Sequence, residues 1–373
     1  MTLTSTALQD VSWWLTNIDH QFRSLHPLPI ALTIYSDASK LGWGAVSDTG
    51  DKTSGLWLEE EWQDSDINIM ELTAAKYALF SLYNVRSEGV VSTDRPHHPP
   101  LRADSAYRHG ESVHIRLMMD NTTAISYINH MGGSHSLACN ALSREIWLWA
   151  ISRHVWLSAA HIPGKDNVIA DYYSRSADDS KEWALHPHIF TYVSKTFGLP
   201  HVDLFASRTN KKVPVYVSWL PDPGSFAVDA FSLKWDRFKL LYCFPPFSKI
   251  WMTINKIKQE KVTAILIAPL WPTQSWYPAI LQLLVDLPIV FQATHNRLYL
   301  PHKPDLVHPL HPSLYLMAIK ISGDTLHHTT FLHRLKTSSS HHGTHPLRKN
   351  TKEFLPSGTN FRVRGTLIPF TLL

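Results

Sequence analysis

The chain has little cysteine, no long hydrophobic run and no leader-like start. Its 373 residues contain only Cys139 and Cys243, and neither lies in a Cys/His spacing typical of zinc. This excludes a disulfide-stapled scaffold, and both thiols are expected to be reduced and buried. No apolar run approaches the roughly 18 residues that span a bilayer, and the N-terminus lacks the basic start and apolar core of a signal peptide. We therefore expect an intracellular protein of the nucleus or cytoplasm, with no membrane partner.

Hydrophobic residues are plentiful and charge is unevenly placed. A hydrophobic content of 44% is enough to bury the cores of about two domains. Residues 324–373 contain seven Lys or Arg and two acidic residues, a net charge of +5 against +4 for the whole chain, so the first 323 residues carry −1. This segment is rich in Ser, Thr and His without periodicity, which predicts a disordered basic tail. It is either simply solvated or in contact with nucleic acid.

The first half of the chain alternates strand and helix patterns. Apolar alternation between turn signals predicts a three-stranded antiparallel meander over 31–37, 42–48 and 54–58. Helical spacing predicts helices over 67–85 and 136–153, and another helix that carries Asp171 in its first turns. Further strands end at Asp120 and within 154–164. The Pro- and His-rich segment 87–112 is predicted to be a looped insertion. This order predicts a mixed α/β sheet with flanking helices.

Four acidic residues occupy equivalent places in this order. Asp37 and Asp120 end strands, whereas Glu71 and Asp171 lie on helices that can pack beside those strands. Any one of these acids alone is better explained as a helix or turn cap or as a solvated residue. Four converging carboxylates would raise one another's pKa values unless cations were present. Two Mg²⁺ ions resolve the repulsion, because hard cations prefer oxygen ligands and a metal pair can stabilise an in-line phosphoryl displacement.

Four sequence blocks carry a family resemblance. In order, "YSDASKLGWGAV", "NIMELTAAKYAL", "MMDNTTAI" and "HIPGKDNVIADYYSR" resemble the ribonuclease H domain that follows reverse transcriptase in retroelements, above all in DIRS-type tyrosine-recombinase retrotransposons. The resemblance covers residues 31–178. It implies a ribonuclease H-like fold that hydrolyses the RNA strand of RNA/DNA hybrids as an endonuclease. It also implies that two Mg²⁺ ions, replaceable by Mn²⁺, are held by the four acids: Asp37, Glu71, Asp120 and Asp171.

The resemblance also implies substrate contacts. Gly42 and Trp43 resemble the part of the family that lies along the minor groove of the hybrid, where 2′-hydroxyls distinguish RNA from DNA. Asn121 can donate to a sugar or a base edge. The alternatives stay open: a tryptophan on a small sheet is usually a core residue, which favours that interpretation for Trp43, and Asn121 is equally explained as a helix N-cap. His161 lies at a strand end rather than on a loop, and no catalytic role is assigned to it.

The sequence contains no paired aspartates of a polymerase. Residues 1–30 resemble only the connection leading out of a reverse transcriptase. We therefore expect the chain to be a piece of a polyprotein, a truncated element copy or a gene cut at an intron, with a separate or fused reverse transcriptase as partner.

Residues 183–321 predict a second α/β domain. Strand-like runs alternate with helical stretches, which predicts a mostly parallel sheet. In DIRS-type elements this region resembles a Rossmann-like adenine-N6 methyltransferase, with "DLFAS" as the first cofactor-binding strand and "CFPPF" at the catalytic motif. Phe244 stands where such enzymes keep a polar side chain, so the domain is predicted to be degenerate and unable to transfer a methyl group. Asp203 and Phe247 could still shape a pocket or stack a base.

These observations predict a metal-dependent RNA/DNA-hybrid ribonuclease. The alternative from another class is an inactive nucleic-acid-binding remnant of a retrotransposon, and a third is a DNA adenine methyltransferase. The complete set of four acids favours the enzyme.

Overall fold

A computed structural model describes two helix-flanked sheets. The description covers residues 5–20, 28–62, 66–88, 113–176, 182–294, 296–340, 351–352, 360–363 and 366–373. One sheet has five strands and the other has seven, with three further two-stranded sheets. The predicted mixed α/β class is confirmed. Both cysteines are buried free thiols, as expected. Within these ranges, no helix combines the length and apolar character needed to cross a membrane.

The five-stranded sheet is built from the first half of the chain. Its elements are α1 Ser5–Asn17, β1 Ile30–Ala38, β2 Gly42–Ser47, β3 Lys52–Leu56, α2 Glu59–Trp62, α3 Ile67–Glu88, β4 Val113–Met119, α4 Thr122–Asn129, α5 Leu137–Ile151, β5 Val155–His161 and α6 Val168–Arg175. The strand order is β3-β2-β1-β4-β5. The predicted meander is confirmed, since β1, β2 and β3 pair antiparallel, whereas β4 pairs parallel to both β1 and β5. Most of the predicted insertion, from residue 89 to 112, lies outside the described residues.

Alternating burial explains why these strands form this sheet. On β1, Leu32 and Ile34 are buried while their neighbours are partly exposed, and Ile115 and Leu117 on β4 continue the same core. Helix α3 packs over this face with the fully buried small residues Ala74, Ala75 and Ala78. Because these side chains are short, the helix axis can lie close to the sheet. The close approach brings polar groups of α3 to the strand ends.

The seven-stranded sheet is built from the second half. Its elements and the small sheets beside it are β6 Ala184–Leu185, α7 Pro187–Phe197, β7 Val202–Asp203, β8 Val217–Ser218, β9 Ala227–Val228, β10 Leu241–Cys243, α8 Ile250–Glu260, β11 Thr263–Pro269, α9 Tyr277–Leu281, β12 Ile289–Gln292, β13 Leu298–Tyr299, β14 Tyr315–Ser322, α10 Thr325–Ser340, β15 Thr351–Lys352, β16 Phe361–Val363, β17 Thr366–Ile368 and β18 Phe370–Leu372. The strand order is β15-β18-β12-β14-β11-β10-β7.

The prediction of a mostly parallel sheet is wrong for this second unit. Strands β7, β10 and β11 are parallel, but β14 lies between β11 and β12 and pairs antiparallel with both. The strand was missed because it follows a Pro- and His-rich stretch that reads as loop. Its residues Leu316, Met317, Ala318 and Ile319 are all fully buried. A fully buried strand shows a continuous apolar run rather than alternation. A short buried helix shows the same kind of run, so the pattern does not distinguish the two.

The predicted disordered tail is also wrong for the part that the structure describes. Residues 325–340 form helix α10, and the last thirteen residues contribute β16, β17 and β18. Phe361 and Phe370 are fully buried in the core of the second unit, and Phe331 is 4% exposed. The mean composition of 324–373 hid a terminal apolar stretch that can bury enough surface to order itself. Residues 341–350, 353–359 and 364–365 lie outside the described residues.

Candidate active site

Three acidic side chains converge at one edge of the five-stranded sheet. Asp37 lies near the end of β1, Asp120 follows β4, and Glu71 projects from the first turns of α3. Each offers a carboxylate oxygen within 4.8 Å of the other two. Asp37 and Glu71 are buried and Asp120 is half-buried. Because β1 and β4 are parallel neighbours, their carboxyl ends place the two aspartates side by side, as the sequence predicted.

Glu71 is fixed by the packing of α3 on the sheet. The backbone N–H of Ala38 donates to Glu71 Oε1 at 3.4 Å. The other oxygen, Oε2, is buried and has no hydrogen-bond partner among the described residues. A buried carboxylate oxygen without a donor costs free energy unless it is protonated or meets a cation. Glu71 therefore presents a possible ligand atom that no described residue of the protein satisfies.

Asp37 is held by helix α6. Ser174 Oγ donates to Asp37 Oδ2 at 2.7 Å, and Asn167 Nδ2 donates to the carbonyl of Ser36 at 2.9 Å. Gly44, which pairs with Asp37 across β1 and β2, makes this contact possible. A Cβ at Gly44 would lie 2.4 Å from Ser174 N. The helix can therefore approach the strand only because residue 44 has no side chain.

Asp171 lies on the same helix but outside the three-carboxylate group. It forms an ion pair with Arg175, one turn later, at 2.6 Å between Asp171 Oδ1 and Arg175 Nη2, and both side chains are exposed. Its negative charge nevertheless contributes to raising the pKa of Asp37. The structure thus brings three of the four predicted acids together and places the fourth at the margin, paired with a cation.

Burial and mutual repulsion change the protonation of the cluster. Burial, together with the charges of Asp37 and Asp120, raises the pKa of Glu71 to about 9. Burial raises the pKa of Asp37 to about 6 against the hydrogen bond from Ser174, and the charges of Asp171 and Asp120 add to the rise. Without a cation, Glu71 holds a proton at neutral pH. A divalent ion would have to displace that proton.

The donor set fits a hard divalent cation. All three side chains offer carboxylate oxygens, which are the ligands preferred by Mg²⁺ and Mn²⁺. The unpartnered Oε2 of Glu71 points to the same conclusion. The turn before α6 also comes close, since a Cβ at Gly164 would lie 3.0 Å from Asp120 Oδ2. We conclude that these residues can hold a metal ion.

The predicted substrate residues have structural roles. Trp43 is fully buried against Trp57 and Tyr77, so its ring cannot stack on a substrate, and this part of the prediction is wrong. Gly42 is buried in the β2–β3 pair, where a Cβ would lie 2.3 Å from the carbonyl oxygen of Gly55. The presence of both residues is therefore explained by the tight packing of the meander rather than by contact with a substrate groove.

Asn121 caps a helix beside the acidic cluster. Its Oδ1 accepts from Ala124 N at 2.8 Å, and its Nδ2 donates to Asn68 Oδ1 at 3.0 Å. The capping alternative is therefore confirmed, while a contact with substrate stays a prediction. His161 is exposed at the end of β5.

Sequence reasoning missed Ser174 and Asn68. Ser174 lies three residues after Asp171, and this spacing places both on adjacent turns of one helix face. The spacing therefore indicated that Ser174 lies near Asp171, but the contact of Ser174 with Asp37 depends on long-range packing. Asn68 lies three residues before Glu71 at the start of α3, so its contact with Asn121 also needed the tertiary structure.

Comparison with known proteins returns similarity to solved structures alone. No protein-family model matches the chain, and no curated protein matches it. Ribonuclease H1 from the halophilic archaeon Halobacterium salinarum NRC-1 is 15% identical, with 40% of this chain and 98% of that chain covered and a TM-score of 0.27. LC11-RNase H1 in complex with an RNA/DNA hybrid is 16% identical, with 40% and 97% covered and a TM-score of 0.28. A second structure of LC11-RNase H1, isolated from compost by a metagenomic approach, is 17% identical, with 40% and 96% covered and a TM-score of 0.27.

Proposed function

We propose that this chain hydrolyses the RNA strand of RNA/DNA hybrids with divalent metal ions. One observation carries the proposal: carboxylates from three separate segments converge within 4.8 Å, and one of them keeps a buried oxygen without a partner. Burial first, and then the charges of the neighbouring carboxylates, raise the pKa values of Asp37 and Glu71, so the fully ionised cluster is unfavourable without a cation. Asp37 and Glu71 each accept one hydrogen bond, from Ser174 and from the N–H of Ala38, but no Lys or Arg of the described residues forms an ion pair with any of the three acids.

Asp37, Glu71 and Asp120 would hold the ions, and Asp171 would complete the set after release from Arg175. Two Mg²⁺ ions, or Mn²⁺ in their place, would supply there the positive charge needed to activate a water and to stabilise the charge that develops on the phosphodiester oxygens. The protein's part is to orient the ligands before binding. Ser174 fixes one oxygen of Asp37, and the N–H of Ala38 fixes one oxygen of Glu71. Such preorganisation avoids reorganising the ligands when the phosphate arrives.

The choice of substrate rests on the sequence resemblance. The four blocks of residues 31–178 are similar to retroelement ribonucleases H, which implies an RNA/DNA hybrid and an origin in a DIRS-type element with a separate or fused reverse transcriptase. The competing function is an inactive nucleic-acid-binding remnant. The proposal favours an enzyme because all four acids are present and, among the described residues, none of the three that converge forms an ion pair with a Lys or Arg side chain.

A methyltransferase function for the second unit is less well supported. Phe244 follows β10 at the motif "CFPPF", and its side chain has no atom that could accept a hydrogen bond from an exocyclic amine. Positioning of that amine against a methyl donor would need such an acceptor. We therefore propose that this unit does not transfer methyl groups.

The test of the main proposal is digestion of a hybrid labelled on both strands by the full chain. We expect internal cleavage of the RNA strand in Mg²⁺ or Mn²⁺, an intact DNA strand, and no cleavage in EDTA. Matched RNA/RNA and DNA/DNA duplexes serve as controls for a general nuclease. Cleavage that persists in EDTA, or equal cleavage of all three duplexes, would contradict the proposal.

A further inference from the structure

A cavity of about 480 Å³ lies at one end of the strands of the seven-stranded sheet. It is lined by Leu240, just before β10, by Thr263, the first residue of β11, and by Lys320, near the end of the antiparallel β14. The cavity therefore lies at the amino ends of the parallel strands. The motif "CFPPF" begins at the carboxyl end of β10, on the other side of the sheet, and none of the four acids of the first unit lines this cavity.

Basic side chains outnumber acidic ones in the lining. Lys239 precedes β10, Lys320 belongs to β14 and Arg334 belongs to α10, so three separate elements each supply a cation. Asp286 is the single acidic side chain among the described lining residues, and its Oδ1 already accepts a hydrogen bond from the N–H of Leu287 at 2.8 Å. Three formal positive charges against one negative charge make the cavity attractive to an anion.

Lys320 is a partly buried cation without a carboxylate partner. Its Nζ donates to the carbonyl oxygen of Phe197 at 2.7 Å, and Phe197 is the last residue of α7, where helix carbonyls lack partners within the helix. An ammonium group has three donors, and among the described residues no carboxylate forms an ion pair with Lys320. Because a partly buried charge is costly unless it is paired, an anion in the cavity would stabilise this lysine.

Helix α10 presents a polar face to the cavity. Its opposite face is held on the core, because His328 and Phe331 are buried and His328 Nδ1 lies 2.7 Å from the carbonyl oxygen of Leu284. Thr330 and Arg334 lie four residues apart on adjacent turns, and both are exposed and line the cavity. The sequence of α10 contains no acidic residue. The helix therefore adds a hydroxyl and a guanidinium to the lining without a charge that would repel an anion.

This set of donors suits a phosphate group. The donors come from a loop, a strand and a helix, whereas a planar carboxylate is best met by the single fork of one arginine. A phosphate has oxygens that point in several directions and accept hydrogen bonds from Lys, Arg and Thr side chains alike. None of the described lining residues is Phe, Tyr or Trp, so a nucleobase would find no ring to stack on. Recognition here would therefore involve the phosphate and be independent of base sequence.

We propose that this cavity binds a phosphate of a nucleic-acid backbone, with Lys239, Lys320 and Arg334 as the cationic contacts and Thr330 as a hydroxyl donor. Lys239 and Arg334 are exposed, so a strand can cross the opening while one of its phosphates enters. A free phosphate ion offers the same oxygens, and the experiment distinguishes it from a strand. The site uses none of the four acids of the first unit, so the proposal stands independently of hybrid cleavage and gives the chain a separate, sequence-independent contact with nucleic acid.

The test measures the fluorescence anisotropy of labelled dT and dA strands of about 15 nucleotides with the full chain in EDTA, over a series of salt concentrations. Lys239→Gln and Arg334→Gln should each weaken the binding of both strands alike, by about tenfold at low salt. Each should also lower the slope of log affinity against log salt by about 0.7. Lys303→Gln and Arg362→Gln are the matched controls, because both residues are exposed on the second unit and neither lines the cavity.

A substitution that should strengthen binding separates the loss of a contact from the loss of the fold. Asp286→Asn removes the negative charge from the lining and keeps an oxygen that can accept from the N–H of Leu287. We expect this variant to bind both strands more tightly than the wild type, by about two- to fivefold. Asp305→Asn is the matched control, because Asp305 is exposed on the second unit and does not line the cavity.

Competition identifies the source of the anion. Inorganic phosphate and polyglutamate should each displace the labelled strand far less well than an unlabelled strand at the same concentration of negative charge. Equal losses in the cavity variants and their controls, weaker binding by Asp286→Asn, or equal competition by polyglutamate would overturn the proposal. Calorimetric binding of inorganic phosphate that Lys239→Gln and Arg334→Gln abolish, with strand binding unchanged, would assign the cavity to the free ion and also overturn it. Because the measurements are made in EDTA, each of these results leaves the hybrid-cleavage proposal intact.

Discussion

Replacement of Glu71 by glutamine should change how the stability of the metal-free protein depends on pH. The pKa of this carboxyl is raised to about 9 in the folded state from an ordinary value of 4.5. Between these values the folded protein holds a proton that the unfolded chain has lost. Stability of the metal-free wild type therefore falls as pH rises through this interval, by about 1.4 kcal/mol per pH unit from this group.

The magnitude follows from the interval chosen. From pH 6.5 to 8.5 the expected loss of stability from Glu71 is about 2–3 kcal/mol, because the folded protein keeps this proton over most of the interval. Asp37, with a pKa of about 6, has largely finished titrating by then. Glu71→Gln keeps an acceptor for the N–H of Ala38 but cannot ionise. The stability of the variant should lack this pH-dependent loss, so the difference in unfolding free energy between variant and wild type should shift by about 2–3 kcal/mol in favour of the variant between pH 6.5 and 8.5.

Urea denaturation in EDTA at pH 6.5, 7.5 and 8.5, followed by circular dichroism and tryptophan fluorescence, measures this shift. Other titrating groups cancel because both proteins share them. Saturating Mg²⁺ should abolish most of the loss in the wild type, since the ion binds the ionised carboxylate. A variant whose stability falls with pH as steeply as that of the wild type would refute the proposed environment of Glu71.

Three further predictions concern the cluster, its support and the second unit. Asp37→Asn should raise the thermal midpoint in EDTA at pH 8 and shrink the stabilisation by Mg²⁺, because one of the repelling charges is gone; an unchanged response to Mg²⁺ in thermal melts would argue against convergence. Gly44→Ala should cost about 1–3 kcal/mol in urea denaturation and slow hybrid cleavage, because the added Cβ would lie 2.4 Å from Ser174 N and push α6 away from Asp37; wild-type stability and rate would show that α6 tolerates displacement. Incubation with labelled S-adenosylmethionine and adenine-containing DNA should yield no methylated DNA, and measurable transfer would show that Phe244 is compatible with catalysis.

Local patterns were sufficient to predict the first unit and most of its acidic cluster. The meander, α3 and β4 follow from short-range periodicity, and a parallel pair of strands brings Asp37 and Asp120 to one edge whatever the details of packing. To place Glu71 in the cluster, the sequence had to indicate only which face of α3 packs on the sheet. The pairing of Asp171 with Arg175 was also readable from their spacing of four residues on a helix.

Long-range packing accounts for what the sequence did not reveal. The contact of Ser174 with Asp37 depends on the approach of α6 to Gly44, which is far away in sequence. The sequence left two alternatives for Trp43, core residue or substrate contact, because a small sheet has two faces and the sequence does not say which face α3 covers. The order in the C-terminal stretch around Phe361 and Phe370 was hidden by averaging its composition with the Ser- and His-rich part.

The most direct test of the central claim is the initial rate of RNA cleavage in a hybrid by three proteins in Mg²⁺: wild type, Asp120→Asn and Asp305→Asn. Asp305 is an exposed acid of the second unit, so its substitution removes the same charge away from the cluster. Loss of a metal ligand should exceed the 10- to 100-fold effect typical of an outer-shell partner, so Asp120→Asn should be slower by more than about a hundredfold. Asp305→Asn should match the wild type. Cleavage by Asp120→Asn within a few fold of the wild-type rate, with both variants folded, would contradict the assignment of the acidic cluster as the active site.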